Sequence, residues 1–498
     1  MTNRRLLAER VPLERIVLAL IVLAYLALGT VYAVVTPAWQ VPDEPAHYNY
    51  VRYLVEQRRF PRLEIGDYDQ AYLSQITTAK FHPSLSIDAI RYEFHQPPLY
   101  YLLAAPVYAA FGGALLPLRL ISVVLGAVLV VMAYLVAKAV YPDLAWPALC
   151  TAALIAFLPQ HIAMTAGVEN DTLAELLLAA ILLRLVRWLK QEGAGTYKSL
   201  VLTGILVGLA LLTKVGVYIS APLALVAVWL KYYRRTGEGK RHLDLRPALI
   251  AAACLLLPAL LLGLPWFVRN ALEYGGFDVL GLQQHERVVA GQPRTAQMLA
   301  DNGAFYLAWS FASTTFHSFW GQFGWMAVPM DGRVYDALWL FSIVVTIALI
   351  FGLVEARERG PLAPSIVLLG CSALLTLGTL LGYNLGFYQA QGRYLYPALI
   401  PIGLGASVGL YTSLRKRDAL LTTVALAIAT LLVALRYFFQ GCGSKWRILI
   451  NAASASFYGL RWLLPERWMF AFLSAPYLLL ALLAAASPFW FIRPNLTP

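Results

Sequence analysis

Apolar residues occur in long stretches along the whole chain, separated by short polar segments. A stretch of about 20 apolar residues can cross a ~30 Å hydrocarbon core as a helix that rises about 1.5 Å per residue. The pattern predicts twelve such spans, at residues 16–35, 118–138, 146–165, 172–190, 199–213, 216–231, 247–267, 337–354, 362–382, 395–411, 418–435 and 468–486. The predicted fold class is therefore all-α, a polytopic transmembrane helical bundle in which residues 1–498 form a single membrane domain.

Two polar segments are too long to be simple connections between spans. Residues 36–117 are predicted to form a first extracytoplasmic loop, and residues 268–335 a second long one on the same side. Within the first, residues 97–111 are apolar but short and marked by prolines, so they are read as an interfacial or re-entrant helix rather than a crossing. The predicted topology brings polar segments from distant parts of the chain to one face of the membrane.

Composition and charge exclude several classes of protein. With 60% hydrophobic and 13% charged residues the chain is far more apolar than soluble domains. Its net charge of +12 is carried by Lys and Arg in short loops, which is a topology signal and does not indicate nucleic acid. The positive-inside rule then places the N-terminus in the cytoplasm and assigns to the inner loops Lys138, Arg187, Lys190, Lys198, Arg234, Arg235, Lys240, Arg241, Arg246, Arg357, Arg359, Arg415, Lys416 and Arg417.

The four cysteines, Cys150, Cys254, Cys371 and Cys442, are far apart in the sequence and form no CxxC pair. This spacing indicates neither a disulfide framework nor a zinc site. No cofactor is indicated with certainty, and a requirement for a divalent metal stays open.

The segment QVPDEPAHYNYV at residues 40–51 places adjacent acids directly after the first span. Asp43 is a suitable N-cap, and Glu44 and Pro45 suit the first turn of a helix along the interface. Alternatively, the carboxylates of Asp43 and Glu44 provide a general base and a polar partner for a substrate hydroxyl. His47 follows one turn later; a zinc site with these acids is conceivable, but the spacing has no metal specificity.

Two further polar groups fall on the same predicted face. His95 precedes a double proline, so it is either an ordinary interfacial histidine or a ligand for a phosphate or carboxylate. Asn170 and Asp171 precede the fourth span; here Thr172 and Glu175 form a candidate capping box. Asp171 and Glu175 would also share one helix face at the membrane boundary, where acids are costly enough to indicate a function.

Arg393, in QAQGRYLYPAL, stands at the start of a late span. It either extends to the lipid headgroups or grips a phosphate through its guanidinium. Lys214 and Arg269 lie at the same predicted level and are second-rank candidates for the same task. The aromatic segment at residues 305–326 is read as an interfacial belt, with a platform for a sugar ring or isoprene units as the alternative.

Several of these motifs together resemble a known family: PDEPAH (42–47), HQPPLYY (95–101), ND (170–171), LTK (212–214), FWGQFGW (319–325) and QGRYLYP (391–397). They resemble a family of bacterial membrane proteins that carries a domain-of-unknown-function label. That family is similar in turn to the GT-C glycosyltransferases, which include protein mannosyltransferases and the lipid A aminoarabinose transferase. The resemblance extends to about residue 411.

The resemblance implies a GT-C-like enzyme that passes a sugar from a polyprenyl-phosphate-linked donor to an acceptor, with membrane lipid as its surroundings. It places the catalytic base at Asp43 with Glu44 beside it, and the donor phosphate near His95. It places the second acidic motif at Asn170 and Asp171, and the late Arg-Tyr motif at Arg393 and Tyr394. The expected location is a bacterial inner membrane with the active site facing outside, and a single displacement predicts inversion at the anomeric carbon.

The chain ends soon after its last predicted span, whereas many relatives continue into a large extracytoplasmic domain that holds acceptors. The acceptor, which could be a cell-envelope glycan, a lipid or a protein, is therefore left open. A transporter or flippase of lipid-linked sugars and a non-catalytic envelope-assembly scaffold are the alternative functions. A transporter typically has inverted repeats and polar groups near the bilayer midplane, and the sequence has neither in a convincing form.

Overall fold

The computed structural model of the protein describes residues 2–193, 196–235, 241–440 and 445–497. Lys240 of the predicted basic loop and Cys442 lie outside the described residues. The side chains of residues 2–12, 234–235, 241 and 436–440 are outside the description as well.

The first half of the chain is helical, with one short antiparallel hairpin. Its helices are α1 (Thr2–Val35), α2 (Glu44–Gln57), α3 (Gln70–Thr78), α4 (Leu99–Ala110), α5 (Leu115–Val140), α6 (Trp146–Phe157), α7 (Pro159–Thr165), α8 (Asp171–Lys190), α9 (Tyr197–Leu211), α10 (Ser220–Tyr232) and α11 (Leu245–Tyr274). The hairpin pairs β1 (Tyr233–Arg235) with β2 (Arg241–Leu243). 3-10 turns occur at Tyr92–His95 and Val215–Val217.

The second half of the chain is also mainly helical. Its helices are α12 (Leu282–Val288), α13 (Thr295–Asn302), α14 (Ala304–Trp320), α15 (Gly332–Glu358), α16 (Pro364–Gly386), α17 (Leu399–Ser413), α18 (Lys416–Gln440), α19 (Lys445–Leu463), α20 (Met469–Ser487) and α21 (Arg493–Leu496). A two-residue antiparallel pair joins β3 (Gln322–Phe323) to β4 (Val328–Pro329). Non-α helical turns are found at Gly392–Ala398, Glu466–Trp468 and Pro488–Ile492.

Within the described residues, nine helices are long and apolar enough to cross a membrane, and the bent pair α6–α7 makes a tenth candidate. The two members of that pair meet at 64°, because Pro159 begins α7 and disfavours helical backbone in the residue before it. The predicted spans at 172–190 and 199–213 do form α8 and α9, but α8 carries five charged residues and α9 has only 15 residues. The helical bundle is thus confirmed, while the count of twelve spans stays a prediction.

Two segments are more helical than the sequence pattern indicated, and a third, residues 97–111, is helical as predicted. Residues 97–111 contain α4, and the loop predicted at 268–335 contains the end of α11 followed by α12, α13 and α14. Helix α19 was not predicted, because Asn451, Ser454 and Ser456 interrupt its apolar pattern. The interfacial position of α4 stays a prediction.

The order of the helices places the predicted polar segments at one end of the bundle. The end of the bundle at which α1 ends and at which α8 and α17 begin is called the site end. The basic loops gather at the other end, where Arg415 bonds Glu355 at 2.7 Å and the Lys190 amine bonds the Val140 carbonyl at 2.7 Å. The separation of acids and basic loops agrees with the predicted topology of the chain.

Candidate active site

Asp43 stands immediately before α2, but its side chain does not cap that helix. Its backbone is left-handed, with φ 66°, which turns the carboxylate away from the free amides of α2. The Asp43 carboxylate instead accepts hydrogen bonds from the Tyr92 hydroxyl, at 2.6 Å, and from the Arg393 guanidinium. The capping interpretation of the Asp43 side chain is therefore wrong.

Arg393 reaches Asp43 from a turn 350 positions later in the chain. The preceding Gly392 is pressed against α14: a Cβ atom there would lie 2.2 Å from the Phe319 amide nitrogen. The guanidinium Nε donates to Gln391 at 2.7 Å, and one terminal nitrogen lies 3.7 Å from Glu169. Arg393 is thus buried between carboxylates and does not extend toward headgroups.

A second carboxylate, Glu169, lies on the other side of Arg393. It is fully buried, and its Oε2 is 3.2 Å from His47 Nε2. Burial raises the pKa of Glu169 to about 7, although His47 opposes this shift. Burial would lower the pKa of His47, but the Glu169 carboxylate raises it above its ordinary value. Whether the imidazole or the carboxyl carries it, one proton is held by this pair near neutral pH.

The electrostatics of Asp43 are different. Burial alone would raise the pKa of the Asp43 carboxyl, but Arg393 and the Tyr92 hydroxyl bring it down to about 2. Asp43 is therefore ionised at neutral pH, and its side chain stays 20% exposed. A carboxylate held so tightly by a cation is a weak base until that cation moves.

The predicted second acidic motif faces the Leu-Thr-Lys motif. The Lys214 amine bonds the Asp171 carboxylate at 2.6 Å, and the Asn170 side-chain amide donates to the Thr213 carbonyl at 3.2 Å. The candidate capping box does not form, because Glu175 instead contacts His161 at 3.1 Å.

Glu44, the second predicted catalytic acid, faces away from Asp43. Arg119 forms a bidentate pair with it, at 2.7 and 2.6 Å. The backbone amides of Trp39 and Val168 donate to the same carboxylate. The Glu44 carboxylate is thus bonded to an arginine of α5 and to two backbone amides. This geometry indicates that Glu44 fixes the loop that carries Asp43.

The remaining candidates lie at the edge of this cluster. The His95 ring donates from Nδ1 to the Tyr92 carbonyl, 3.0 Å away, and burial lowers the pKa of His95 to about 4. Tyr394 lies under the Arg393 guanidinium, which is 5.4 Å from the ring centre. Arg269 instead bonds the Pro61 carbonyl and lies over the Trp266 ring.

The sequence patterns assigned no role to three residues of the site: Tyr92, Arg119 and Glu169, the last of which stands among the acids of the second acidic motif. Arg119 carried a recognisable signal, since an arginine at the start of an apolar run is costly in a membrane and normally has a partner. Glu169 and Tyr92 carried none beyond their neighbours in the motifs.

In the described part of the chain, no group of three or more His, Cys, Asp or Glu side chains could hold a metal ion. The carboxylates are instead matched with cations of the protein: Asp43 with Arg393, Asp171 with Lys214, and Glu44 with Arg119. Metal dependence itself stays an untested prediction.

Comparisons with known proteins bear on the fold and on part of the sequence. Residues 95–261 match the family described as dolichyl-phosphate-mannose-protein mannosyltransferase. The structure is similar to that of ArnT from Cupriavidus metallidurans bound to undecaprenyl phosphate, with a TM-score of 0.54, 14% identity, and coverage of 94% of this chain and 76% of that chain. The apo state of the same protein gives a TM-score of 0.52, 15% identity and the same coverage, 94% and 76%. No curated protein matches by sequence.

These likenesses confirm the predicted GT-C-like fold over nearly the whole chain. The family match and the shared fold support the predicted glycosyltransferase, and they do not favour the transporter. They leave the roles of individual site residues untested.

Proposed function

We propose that this GT-C-fold membrane protein is a glycosyltransferase that moves a sugar from a polyprenyl-phosphate-linked donor to an acceptor at the outer face of a bacterial plasma membrane. The observation that carries the proposal is the pairing of Asp43 with Arg393 in one polar cluster. A carboxylate that can take a proton stands beside a guanidinium that can hold a phosphate, which are the two functions this transfer needs.

The proposed reaction is a single displacement. The oxygen of an acceptor hydroxyl attacks the anomeric carbon, its proton passes to the Asp43 carboxylate, and a new glycosidic bond forms. The bond between the anomeric carbon and the phosphate oxygen breaks, and its electron pair leaves with the polyprenyl phosphate. Attack opposite the leaving group inverts the anomeric centre.

Arg393 couples donor binding to the strength of the base. Without donor, the guanidinium holds Asp43 and keeps the pKa of its carboxyl at about 2. A donor phosphate would compete with Asp43 for the guanidinium N–H groups. Once Arg393 turns to the phosphate, Asp43 regains basicity at the moment when the acceptor needs it.

Lys214 and His95 are second contributors in this scheme. The Lys214 amine is bonded to Asp171 and is partly exposed, so it adds positive charge near the leaving phosphate without facing Asp43 directly. His95 is neutral at physiological pH, because burial depresses its pKa, and it acts through Tyr92. We propose that Arg393 and Lys214 neutralise the phosphate charge, and that a divalent metal is not needed.

An apolar cavity of about 700 Å³ supports the proposal that the donor is prenyl-linked. Its lining includes Phe316 and Phe319 of the aromatic segment and Leu395, two positions after Arg393. A prenyl chain in this cavity would place its phosphate near the guanidinium of Arg393. The aromatic segment then provides the platform for isoprene units that the sequence raised as an alternative.

The predicted topology completes the proposal: the N-terminus is cytoplasmic, and the site end, where the donor is used, faces outside. The separation of the basic loops from the acids along the bundle supports this orientation. The acceptor is not assigned.

The test uses the purified full-length protein in lipid nanodiscs, a polyprenyl-phosphate sugar with a radiolabelled sugar, and extracted envelope components as acceptors. The expected result is labelled acceptor together with free polyprenyl phosphate, both absent with the variant Asp43→Asn. Movement of intact sugar lipid across vesicles without bond cleavage would identify a flippase and overturn the proposal. If substitutions of Asp43 and Arg393 change no measured property of the protein, the non-catalytic scaffold is the better interpretation.

A further inference from the structure

Left-handed backbone is concentrated in three loops next to Asp43. In the described part of the chain, seven non-glycine residues have positive φ angles. Six of them lie in the loops 36–43, 79–82 and 321–327, here called the first, second and third loop: Trp39, Asp43, Lys80, Phe81, Trp325 and Met326. Such backbone costs free energy for non-glycine residues and persists where the surroundings enforce it, typically at functional sites.

The three loops meet at the Trp325 side chain. Its indole nitrogen donates to the Trp39 carbonyl at 2.9 Å, which joins the third loop to the first. Its ring packs on Phe81 with 5.8 Å between ring centres, which joins the third loop to the second. One side chain therefore contacts a left-handed residue of each of the other two loops.

The segment 488–497 contacts all three loops. The Leu496 carbonyl accepts from the Gln40 side chain at 3.4 Å, and the Thr497 carbonyl accepts from the Lys80 amine at 3.0 Å. The Leu496 side chain fits against Gly324 so closely that a Cβ atom there would lie 2.2 Å from it. Leu496 is buried, although it lies close to the end of the chain.

These contacts lead directly to Asp43. The Glu44 amide donates to the Val41 carbonyl at 3.2 Å, so the turn 41–44 sets the backbone of Asp43. Val41 and Pro42 line one small cavity together with Ile492 and Leu496, which places the segment 488–497 next to this turn. A shift of the segment 488–497 or of the third loop would release the turn that aims the Asp43 carboxylate at Arg393.

We propose that Trp325 and Leu496 are positioning residues, which hold the strained first loop so that the Asp43 carboxylate stays against the Arg393 guanidinium. The inference rests on the proposed role of Asp43 as the base. Neither residue contacts Asp43, so each acts through Trp39 or through the turn 41–44.

The test reads the position of residue 43 without needing a substrate. The variant Asp43→Cys places a thiol there, and the pH midpoint of its alkylation by iodoacetamide, followed by mass spectrometry of that peptide, reports the nearby guanidinium. A thiol beside a cation titrates below its usual value of about 8.5. Adding Arg393→Gln should return the midpoint to about 8.5 and calibrates the measurement.

Trp325→Phe removes the indole donor and keeps the ring against Phe81, while Leu496→Ala empties the space behind Pro42. In the Asp43→Cys background, each is expected to raise the alkylation midpoint by about half a unit or more, toward the value without Arg393. The matched controls are Trp309→Phe and Phe489→Ala, whose side chains are largely exposed, and both should leave the midpoint unchanged. Leu496→Met, which refills the space, should restore it.

Midpoints that stay unchanged in both folded variants would overturn the positioning role. If Trp325→Phe does not fold, Leu496→Ala decides alone, because its effect is local and Leu496→Met provides the rescue. Since the thiol measurement needs no transfer, shifted midpoints combined with a parent protein, Asp43 intact, that shows no transferase activity would uphold the positioning role and reject the proposed function.

Discussion

Asp43 and Glu44 are adjacent in the chain, yet their carboxylates face opposite sides of the first loop. Asp43 is 20% exposed and bonds Arg393 of the late turn, whereas Glu44 is 0% exposed and bonds Arg119 of α5. The left-handed backbone of Asp43 produces this divergence, since it rotates one side chain away from the direction of the next. The pair therefore combines a reactive carboxylate with a structural one.

Glu44→Gln should destabilise the protein, but it should not directly impair the chemical step. It leaves Arg119 buried with an unpaired charge, which typically costs about 3–5 kcal/mol. The double variant Glu44→Gln, Arg119→Met removes both charges and should recover most of the lost thermal stability in detergent. If it also recovers transfer, Glu44 is structural; a stable double variant without transfer would restore the original prediction that Glu44 takes part in catalysis.

Asp43→Asn should fold normally and lose transfer by about 10²-fold or more, the usual size of a general-base contribution. The Tyr92 hydroxyl can still bond the amide oxygen, so the loop should keep its shape. Binding of undecaprenyl phosphate should not weaken, because Arg393 loses its competitor. Asp88→Asn, at an exposed ion pair with Arg52, is the matched control, and near-normal turnover of Asp43→Asn would reject the base.

Arg393→Gln should weaken binding of undecaprenyl phosphate by about 10-fold or more, since a charge-assisted bidentate contact is lost. Arg393→Lys should recover only part of this affinity, because an ammonium cannot reproduce the planar fork. Isothermal titration in nanodiscs measures both. Arg294→Gln, at an exposed pair with Glu286, should bind normally; equal losses at both arginines would indicate unspecific attraction to the bilayer.

The sequence could predict that Asp43 and Arg393 meet, because hydropathy and loop charges fixed which segments share a face, and the motif resemblance named the residues. It could not separate Asp43 from Glu44, since a side-chain direction that depends on one backbone angle leaves no trace in the pattern. Helix α19 was missed because Asn451, Ser454 and Ser456 interrupt its apolar pattern.

The ion pair of Arg119 could have been predicted from the sequence. A charged residue at the edge of an apolar run calls for a buried partner, and Glu44 was available on the same face. Glu169 is the opposite case. Its neighbours favoured a helix start, and only the folded chain shows that it lies against His47 and Arg393.

The His47–Glu169 pair predicts how stability depends on pH. In the unfolded chain, Glu and His lose their protons near pH 4.5 and 6.5. In the folded chain both groups keep their protons to higher pH, because burial raises the pKa of Glu169 to about 7 and the Glu169 carboxylate raises the pKa of His47. The folded state binds more protons in this window, so stability falls as pH rises from about 4.5 through 7.

Glu169→Gln removes this contribution, so the difference in thermal midpoint between the parent and Glu169→Gln should shrink from pH 5 to pH 8. Comparing the two proteins cancels groups that both contain, such as His95, whose lowered pKa gives the opposite slope. The measurement is a thermal melt in detergent at each pH. A difference that grows with pH would mean that Glu169 is ionised in the folded state throughout this range.

The orientation of the bundle can be tested with single cysteines at its two ends. Ile65 is 88% exposed in the loop between α2 and α3, and the Arg359 side chain is 76% exposed at the opposite end of the bundle. Asp67 in the same loop is unsuitable, because it is buried and bonds Arg91.

In intact cells, Ile65→Cys should react with a membrane-impermeant maleimide, and Arg359→Cys should react only after the cells are opened. The background for both is the chain with its four cysteines changed to serine. Since the acids and the basic loops lie at opposite ends, labelling in the reverse order would place the Asp43–Arg393 cluster in the cytoplasm and exclude a donor used at the outer face.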